Sequence, residues 1–577
     1  MGESTRPLPS LIPLTNGGWE VKSLMSSADF TIRGLGLLPP NSVIPVIVVP
    51  GIMGTNLRAR RQPRLGRKRD ERNDLAAPGH PVWRPPNGKP QGLRDAYNWD
   101  RRAPKDRQLL FDPATLEVDE EGPIVLPSPE DGYVFTNDDV RLRGWGELHA
   151  DSYSGLLYAL QTRLNQTFGF NEISKTRFIK PHWTKLMRLG PKVGGMNVEP
   201  LTESHLEKHA QHYFPAYAVG YNWLEDCAAS SLRLEQRILE IIESWKNAKR
   251  TCNKVILVTH SMGGLVARAC AKRIPDKIAG VIHGVMPAFG APAAYRRLAC
   301  GTEAFSPSNG AMDDLSGFAI AKILGDTPEK TTPVLATAAG ALELLPNHLY
   351  PQPWLHIRVM MSAGIQPSTH GGRGDTVRQR QSPVDYLHMP SAKVSNPYDL
   401  YRDMKSWYRM INPLLADPAG LYRRQAGGVE NIIKLALAAA EKFHRSLGEY
   451  YHPNTYAFYG IDPAKLAYGQ LCWSAPQRMG TSLALTPANV AAAKAVGSVP
   501  GGARRVIVEG KSELQFAPEE QDSAGDGTVP HQSGGGPAGK IKQVFATRGY
   551  DHQGAYNDEH MLMLTLRLIV RIVQELP

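Results

Sequence analysis

A serine hydroxyl becomes a nucleophile only when a neighbouring base takes its proton, so a serine held in an unusual turn is the first feature to find. The segment KVILVTHSMGGLVARAC, residues 254–270, contains one. An apolar run ends at Thr259, Ser261 sits in a tight turn, and the pattern predicts a helix from near Gly263. Strand, sharp turn and helix in that order form a nucleophile elbow, which presents a serine at the C-terminal edge of a sheet. Thr259 stands where the usual G-x-S-x-G pattern has its first glycine, while the elbow glycines Gly263 and Gly264 keep side-chain bulk away from the turn. A serine capping a buried helix would leave similar letters without the chemistry.

The base and the acid that orients it should follow in the order Ser, Asp, His. Asp526 lies in AGDGTVPHQSG, residues 524–534, a glycine-flanked turn from which a carboxylate can reach inward; Asp522 is its neighbour and competitor. His552 follows the strand-like KIKQVFAT (540–547) and precedes a last helix predicted over about 557–575. His560 is the alternative base, but it falls inside that helix. An oxyanion needs backbone donors. Met262, directly after the serine, supplies one by position, and Ile52 in the loop VVPGIMGTNL (48–57) is the candidate for the second.

These residues require a parallel sheet to hold them. PVIVV (45–49), YAVGY (217–221), KVILVT (254–259) and AGVIHGV (279–285) read as strands buried on both faces. Between the second and third, Leu234, Ile238, Ile241, Ile242 and Trp245 repeat at helical spacing, so strand, helix and strand form a βαβ unit. TYAFYG (455–460), RVIVEG (505–510) and KIKQVFAT continue the sheet-like text. The expected fold class is α/β, with a mostly parallel central sheet covered by helices and a large inserted cap. Its discontinuous core would comprise residues 41–300, 331–360 and 451–577, with a Pro- and Gly-rich insertion over 58–150. A mainly helical cap would use 301–330 and 361–450, including a stripe at Val429, Ile433, Ala436, Ala440, Phe443 and Leu447. The stripe Met312, Leu315, Phe318, Ala319 and Ile323 is either a lid over an acyl pocket or ordinary packing.

Composition bounds the partners. Of 577 residues, 42% are hydrophobic and 21% charged, which is a globular balance, and the net charge of +11 is partly concentrated in RARRQPRLGRKRDER, residues 58–72. That run reads as a solvated loop, or as one attracted to anionic lipid head groups at a membrane surface. No binding module with interleaved aromatics accompanies it, which argues against nucleic acid. Five scattered cysteines show no metal-like spacing and no disulfide framework. The first residues lack the apolar core of a secretory signal peptide, so synthesis in the cytoplasm and export by a signal-peptide-independent route are expected.

Read together and in order, VPGIMGTNL, GYNWLEDC, THSMGG, LELLPN (342–347), HPNTYAFYG, GDGTVP and the final histidine resemble the lecithin:cholesterol acyltransferase and lysosomal phospholipase A2 family of α/β-hydrolases. The resemblance covers the core but not the 58–150 insertion, and GYNW departs from the family's PYDW. It implies a triad at Ser261, Asp526 and His552 and an oxyanion hole at Ile52 and Met262. It also implies acyl-ester chemistry on phospholipid or another acyl-lipid, without metal or organic cofactor. Water or an alcohol could accept the acyl group, and an inactive scaffold would share the fold. The basic, lid-bearing chain with its DHQGAYND tail is also similar to the antibacterial lipase effectors of type VI secretion. That similarity implies action at a target cell's envelope, in the periplasm, and a cognate immunity protein.

Overall fold

A strand that is apolar at every position needs cover on both faces, and VIVV is such a strand. In the computed structural model it has that cover. The structure describes residues 40–61, 77–127, 136–171, 176–188, 199–303, 320–362, 381–392, 394–476, 485–509 and 512–576, with short fragments outside them. In chain order, the elements that position the site begin with β1 (Val46–Val49), α1 (Lys89–Asp100), α2 (Ala150–Arg163), β2 (Ala216–Ala218), α3 (Cys227–Asn247), β3 (Val255–His260), α4 (Gly263–Arg273) and β4 (Ile278–Gly284). They continue with β5 (Leu355–Ser362), β6 (Gln381–Met389), α5 (Gly428–Leu447), β7 (Thr455–Gly460), β8 (Leu471–Pro476), β9 (Lys494–Ser498), β10 (Arg504–Val508), β11 (Ser512–Pro518), β12 (Gln543–Thr547) and α6 (Glu559–Gln574).

One six-stranded sheet runs in the order β2, β1, β3, β4, β7, β12, with every neighbour parallel. Val46, Val48, Ile256 and Val258 point to the side covered by α2 and α6. Ile47, Val49, Val255 and Leu257 point to the side covered by α3 and α4. The predicted βαβ unit is present, and all five residues of the Leu234 to Trp245 stripe are buried. YAVGY forms a shorter strand than its letters suggest. After Ala218 the chain leaves the sheet, because Gly220 N donates to Glu147 Oε2 (2.8 Å) and Tyr221 N to Thr55 Oγ1 (3.2 Å).

A second six-stranded sheet runs in the order β6, β5, β8, β11, β10, β9. Residues 361–450 supply β6 as well as α5, and RVIVEG falls in β10 of this sheet rather than beside TYAFYG. The reason is visible in the burial: Val506, Val508, Leu514 and Phe516 are buried at alternate positions, the pattern of strands covered on one face. Trp354, Trp407, Trp473 and Ile357 complete a third core. α5 bridges the two halves, with Ile433, Leu437 and Ala440 in that core and Phe443 and Leu447 against the first sheet.

The basic run does not begin as a free loop. Arg58 lies in the strand Leu57–Ala59, is 6% exposed, and pairs with Glu117 at 3.0 Å, while Arg61 pairs with Glu121 at 2.8 Å. Residues 62–76, which carry the rest of that run, lie outside the described residues, as do the lid candidates Met312, Leu315, Phe318 and Ala319. Among the described residues no helix is long and apolar enough to cross a membrane.

Candidate active site

All six residues of β3 are buried, and the chain then turns at Ser261 with φ 51°, a left-handed conformation that a non-glycine residue adopts only when its surroundings enforce it. The enforcement comes from Ser261 N, which donates to Gly284 O at the end of β4 (2.9 Å), and from Gly264 N, which donates to Ser261 O (2.9 Å). α4 then passes so close to β1 that a Cβ on Gly263 would lie 2.4 Å from Pro50 O and 2.5 Å from Val49 O. A Cβ on Gly264 would lie 2.5 Å from Met286 Sδ. Thr259 fits in place of the missing glycine because it still belongs to the strand, its Oγ1 hydrogen-bonded to His283 Nδ1 on β4 at 2.8 Å.

Ser261, Asp526 and His552 come together. His552 Nε2 lies 2.8 Å from Ser261 Oγ, and His552 Nδ1 lies 2.8 Å from Asp526 Oδ2. Asp526 is 1% exposed, and its other oxygen, Oδ1, accepts from Thr528 N (3.0 Å) and Val529 N (2.7 Å). A carboxylate can only accept, so the imidazole proton sits on Nδ1 and Nε2 faces the serine hydroxyl as an acceptor. His552 N also donates to Asp526 O (2.8 Å), fixing one loop on the other. The competitors lie elsewhere: exposed Asp522 accepts from Gly469 N (2.8 Å) and Gln470 N (3.2 Å) to brace a turn, and exposed His560 is in the first turn of α6.

The loop after β1 abuts the elbow. A Cβ on Gly51 would stand 2.9 Å from Ser261 Cβ, Gly54 N closes the turn on Gly51 O (3.1 Å), and Met53 is held at φ 64°. Trp83 Nε1 donates to Met53 O (2.9 Å), and Tyr221 of the GYNW segment donates to Pro50 O (2.9 Å). Among the described residues the N–H groups of Ile52 and Met262 have no acceptor, which leaves both donors available.

Two supporting residues escape the sequence reading. Gly51 N donates to Tyr153 Oη (3.0 Å), Tyr153 Oη lies 2.9 Å from His260 Nδ1, and His260 Nε2 lies 2.8 Å from His552 O. The His552 carbonyl can only accept, so His260 carries its proton on Nε2 and the tyrosine donates to Nδ1. Burial, helped by nearby His552, holds the His260 pKa down at about 3, so this histidine stays neutral beside any imidazolium formed on His552. The loop after β1, the elbow and the His552 loop thus share one hydrogen-bonded line. Tyr153→Phe leaves the Gly51 N–H unpaired, a loss of about 1–3 kcal/mol. The expected result is a fall in kcat of roughly 5- to 150-fold with KM nearly unchanged, measured by steady-state kinetics.

Buried histidines also set the acid limit. Burial lowers the pKa of His209 and His444 to about 4 and of His260 and His283 to about 3. As pH falls through about 6.5 the unfolded chain takes up these protons while the folded chain does not. Stability is therefore expected to be full above that pH and to decline steadily from pH 7 to pH 5, as read by denaturant midpoints. A midpoint independent of pH in that window would contradict it.

A cavity of about 580 Å³ opens over Ser261 and His552, lined by Ile52, Leu93, Ile323, Leu324, Leu344 and Val529 among others. Ile323, the one lid candidate within the described residues, is 3% exposed and forms part of this wall. Its segment is held from below by buried Arg107, which donates to Ile323 O (2.9 Å) and Lys322 O (3.0 Å). Lys322 ties the same segment to α1 through Asp100 (3.4 Å).

A parallel sheet clad in helices on both faces, with a strained serine at the end of β3, defines an α/β-hydrolase. The comparisons make the class narrower. Residues 222–304, which span α3, the elbow and β4, match the PGAP1-like alpha/beta domain. A chain in the crystal structure of the Tle4–Tli4 complex is 25% identical with a TM-score of 0.69, over 92% of this chain and 99% of that one. No curated protein matches by sequence. The chain is an α/β-hydrolase similar, over most of its length, to a chain of the Tle4–Tli4 complex.

Proposed function

We propose that this protein is a serine lipase or phospholipase of the A type that hydrolyses acyl esters of membrane lipids and serves as an antibacterial effector. The observation that carries the reaction is the unbroken line from Asp526 through His552 to Ser261 Oγ, at the floor of an apolar cavity of about 580 Å³. His552 Nε2 takes the hydroxyl proton as Ser261 Oγ attacks the ester carbonyl, and Asp526 stabilises the imidazolium. The N–H groups of Ile52 and Met262 receive the oxyanion. The intermediate collapses to an acyl-serine as His552 returns its proton to the leaving alcohol. Water, deprotonated by the same histidine, then attacks the acyl-serine; the bond from Ser261 Oγ to the acyl carbon breaks, Oγ takes the proton back from His552 Nε2, and the fatty acid leaves.

The apolar wall suits an acyl chain. Residues 320–324, which put Ile320, Ile323 and Leu324 into the cavity wall, act as its cap. The likeness to Tle4 supports delivery into a rival cell with action at its envelope, and Tli4's presence beside Tle4 supports a cognate immunity protein for this chain. Incubation with phospholipid vesicles containing a sterol and glycerol, followed by mass spectrometry, tests the reaction. Lysophospholipid and free fatty acid in equal amounts are expected; acylated sterol or glycerol as the main product would make the enzyme an acyltransferase instead.

A further inference from the structure

β6 is the edge strand of the second sheet and pairs antiparallel with β5: His388 faces His356, Leu387 faces Ile357, and Asp385 faces Arg358. Tyr386 is the extra residue of a bulge. The bulge matters because residues three apart in a regular strand point to opposite faces, whereas one inserted residue returns Asp385 to the face that His388 occupies. His356 and Arg358, two apart on β5, share that face.

Three potential metal ligands of the correct chemistry are thereby gathered. His356 Nδ1 and His388 Nδ1 are 3.0 Å apart, with their rings 81° from coplanar, and ligand atoms of His356, Asp385 and His388 all lie within 4.8 Å of one another. Two nitrogens each about 2.0–2.1 Å from one zinc ion at a tetrahedral angle would be separated by roughly 3.3 Å. Arg358 Nε donates to Asp385 Oδ1 (2.8 Å), which orients the carboxylate and leaves Oδ2 for another partner. Arg358 is itself balanced by Glu519 at 3.3 Å. With Asp385, Glu519 and one guanidinium, the local charge excess is negative. His356 is 6% exposed, whereas His388 and Asp385 are exposed, so an ion could enter from solvent and finish against a buried ligand.

We propose that His356, His388 and Asp385 form a binding site for a divalent transition metal, zinc foremost, that clamps the edge strand β6 onto β5. Two imidazoles with one carboxylate suit zinc, and the fourth position is left for water. The purpose is structural: the ion joins the two strands on either side of residues 363–380 and stabilises the cap sheet by mass action.

The test uses the full chain, stripped with chelator and titrated with zinc by calorimetry and with cobalt by absorption spectroscopy. One tight equivalent, the visible bands of four-coordinate cobalt, and a raised unfolding temperature with zinc are expected. His388→Ala and His356→Ala abolish the tight equivalent, and Asp385→Asn weakens it at least about tenfold, the effect typical of disturbing such a site. His560→Ala, at an exposed position on α6, leaves it intact. If His356→Ala fails to fold, the two exposed positions still decide. Absence of a tight equivalent in the wild type, or its survival in both His388→Ala and Asp385→Asn, overturns the site and leaves a hydrogen-bonded histidine pair.

Discussion

Ser261→Ala is expected to lower acyl-ester hydrolysis on the order of 10⁶-fold, the effect of removing the nucleophile from a triad that works as a unit. The change deletes one oxygen whose described partner is His552 Nε2 at 2.8 Å. The Cβ remains, and alanine meets the same backbone demand at φ 51° as serine does. The Gly284 bond to residue 261 is made by backbone, so the elbow keeps its shape. Fatty-acid release from phospholipid vesicles should fall by that factor while the thermal midpoint stays close to that of wild type. Toxicity in a target cell should fall with it. Hydrolysis or toxicity that survives in a folded Ser261→Ala protein would mean that the fold acts as a binding module or uses another nucleophile. Residual turnover is still expected to exceed the uncatalysed rate, because the Ile52 and Met262 donors remain to bind an oxyanion.

The legible part of this chain is the part buried on both sides. VIVV and the VILV that opens β3 are apolar at every position because helices cover both faces of their sheet, so their letters alone announce the environment. Ser261, Asp526 and His552 could be picked out because an elbow, a glycine-flanked acid and a histidine after a last strand occur in a fixed order, and the structure places them within hydrogen-bonding distance. The second sheet was hidden because its strands are covered on one face, with Val506, Val508, Leu514 and Phe516 buried and Arg505, Ile507, Glu513 and Gln515 on the less covered side. Tyr153 was hidden for a different reason: its partners Gly51 and His260 are about a hundred positions away on either side, and nothing in α2 distinguishes its hydroxyl from any other. The pairing of His356 with His388 depends on strand register, and the approach of Asp385 depends on the bulge at Tyr386, neither of which period-two reading can supply. Arg58 misled because charge in a basic run implies solvent, whereas here it is a strand residue neutralised by Glu117.

Asp526→Asn separates orientation from position. In the wild type, Oδ1 is occupied by two backbone donors, Thr528 N and Val529 N, so an asparagine must keep its carbonyl oxygen there. Its amide nitrogen then takes the place of Oδ2, 2.8 Å from His552 Nδ1. An amide N–H donates, so Nδ1 must become the acceptor and the imidazole proton must move to Nε2. Nε2 would then present a donor to Ser261 Oγ and could no longer take its proton. His552 N still donates to the backbone carbonyl of residue 526, and His260 still donates to His552 O, so the ring stays where it was. The expected loss is roughly 10⁴-fold in kcat, with KM and the unfolding midpoint little changed, because the tautomer alone is wrong. Asp522→Asn, at an exposed turn position, should alter kcat by no more than a few fold. Equal and small losses in the two variants would show that Asp526 serves only to shape its loop, and the acid in the proton-transfer line would have to be sought elsewhere.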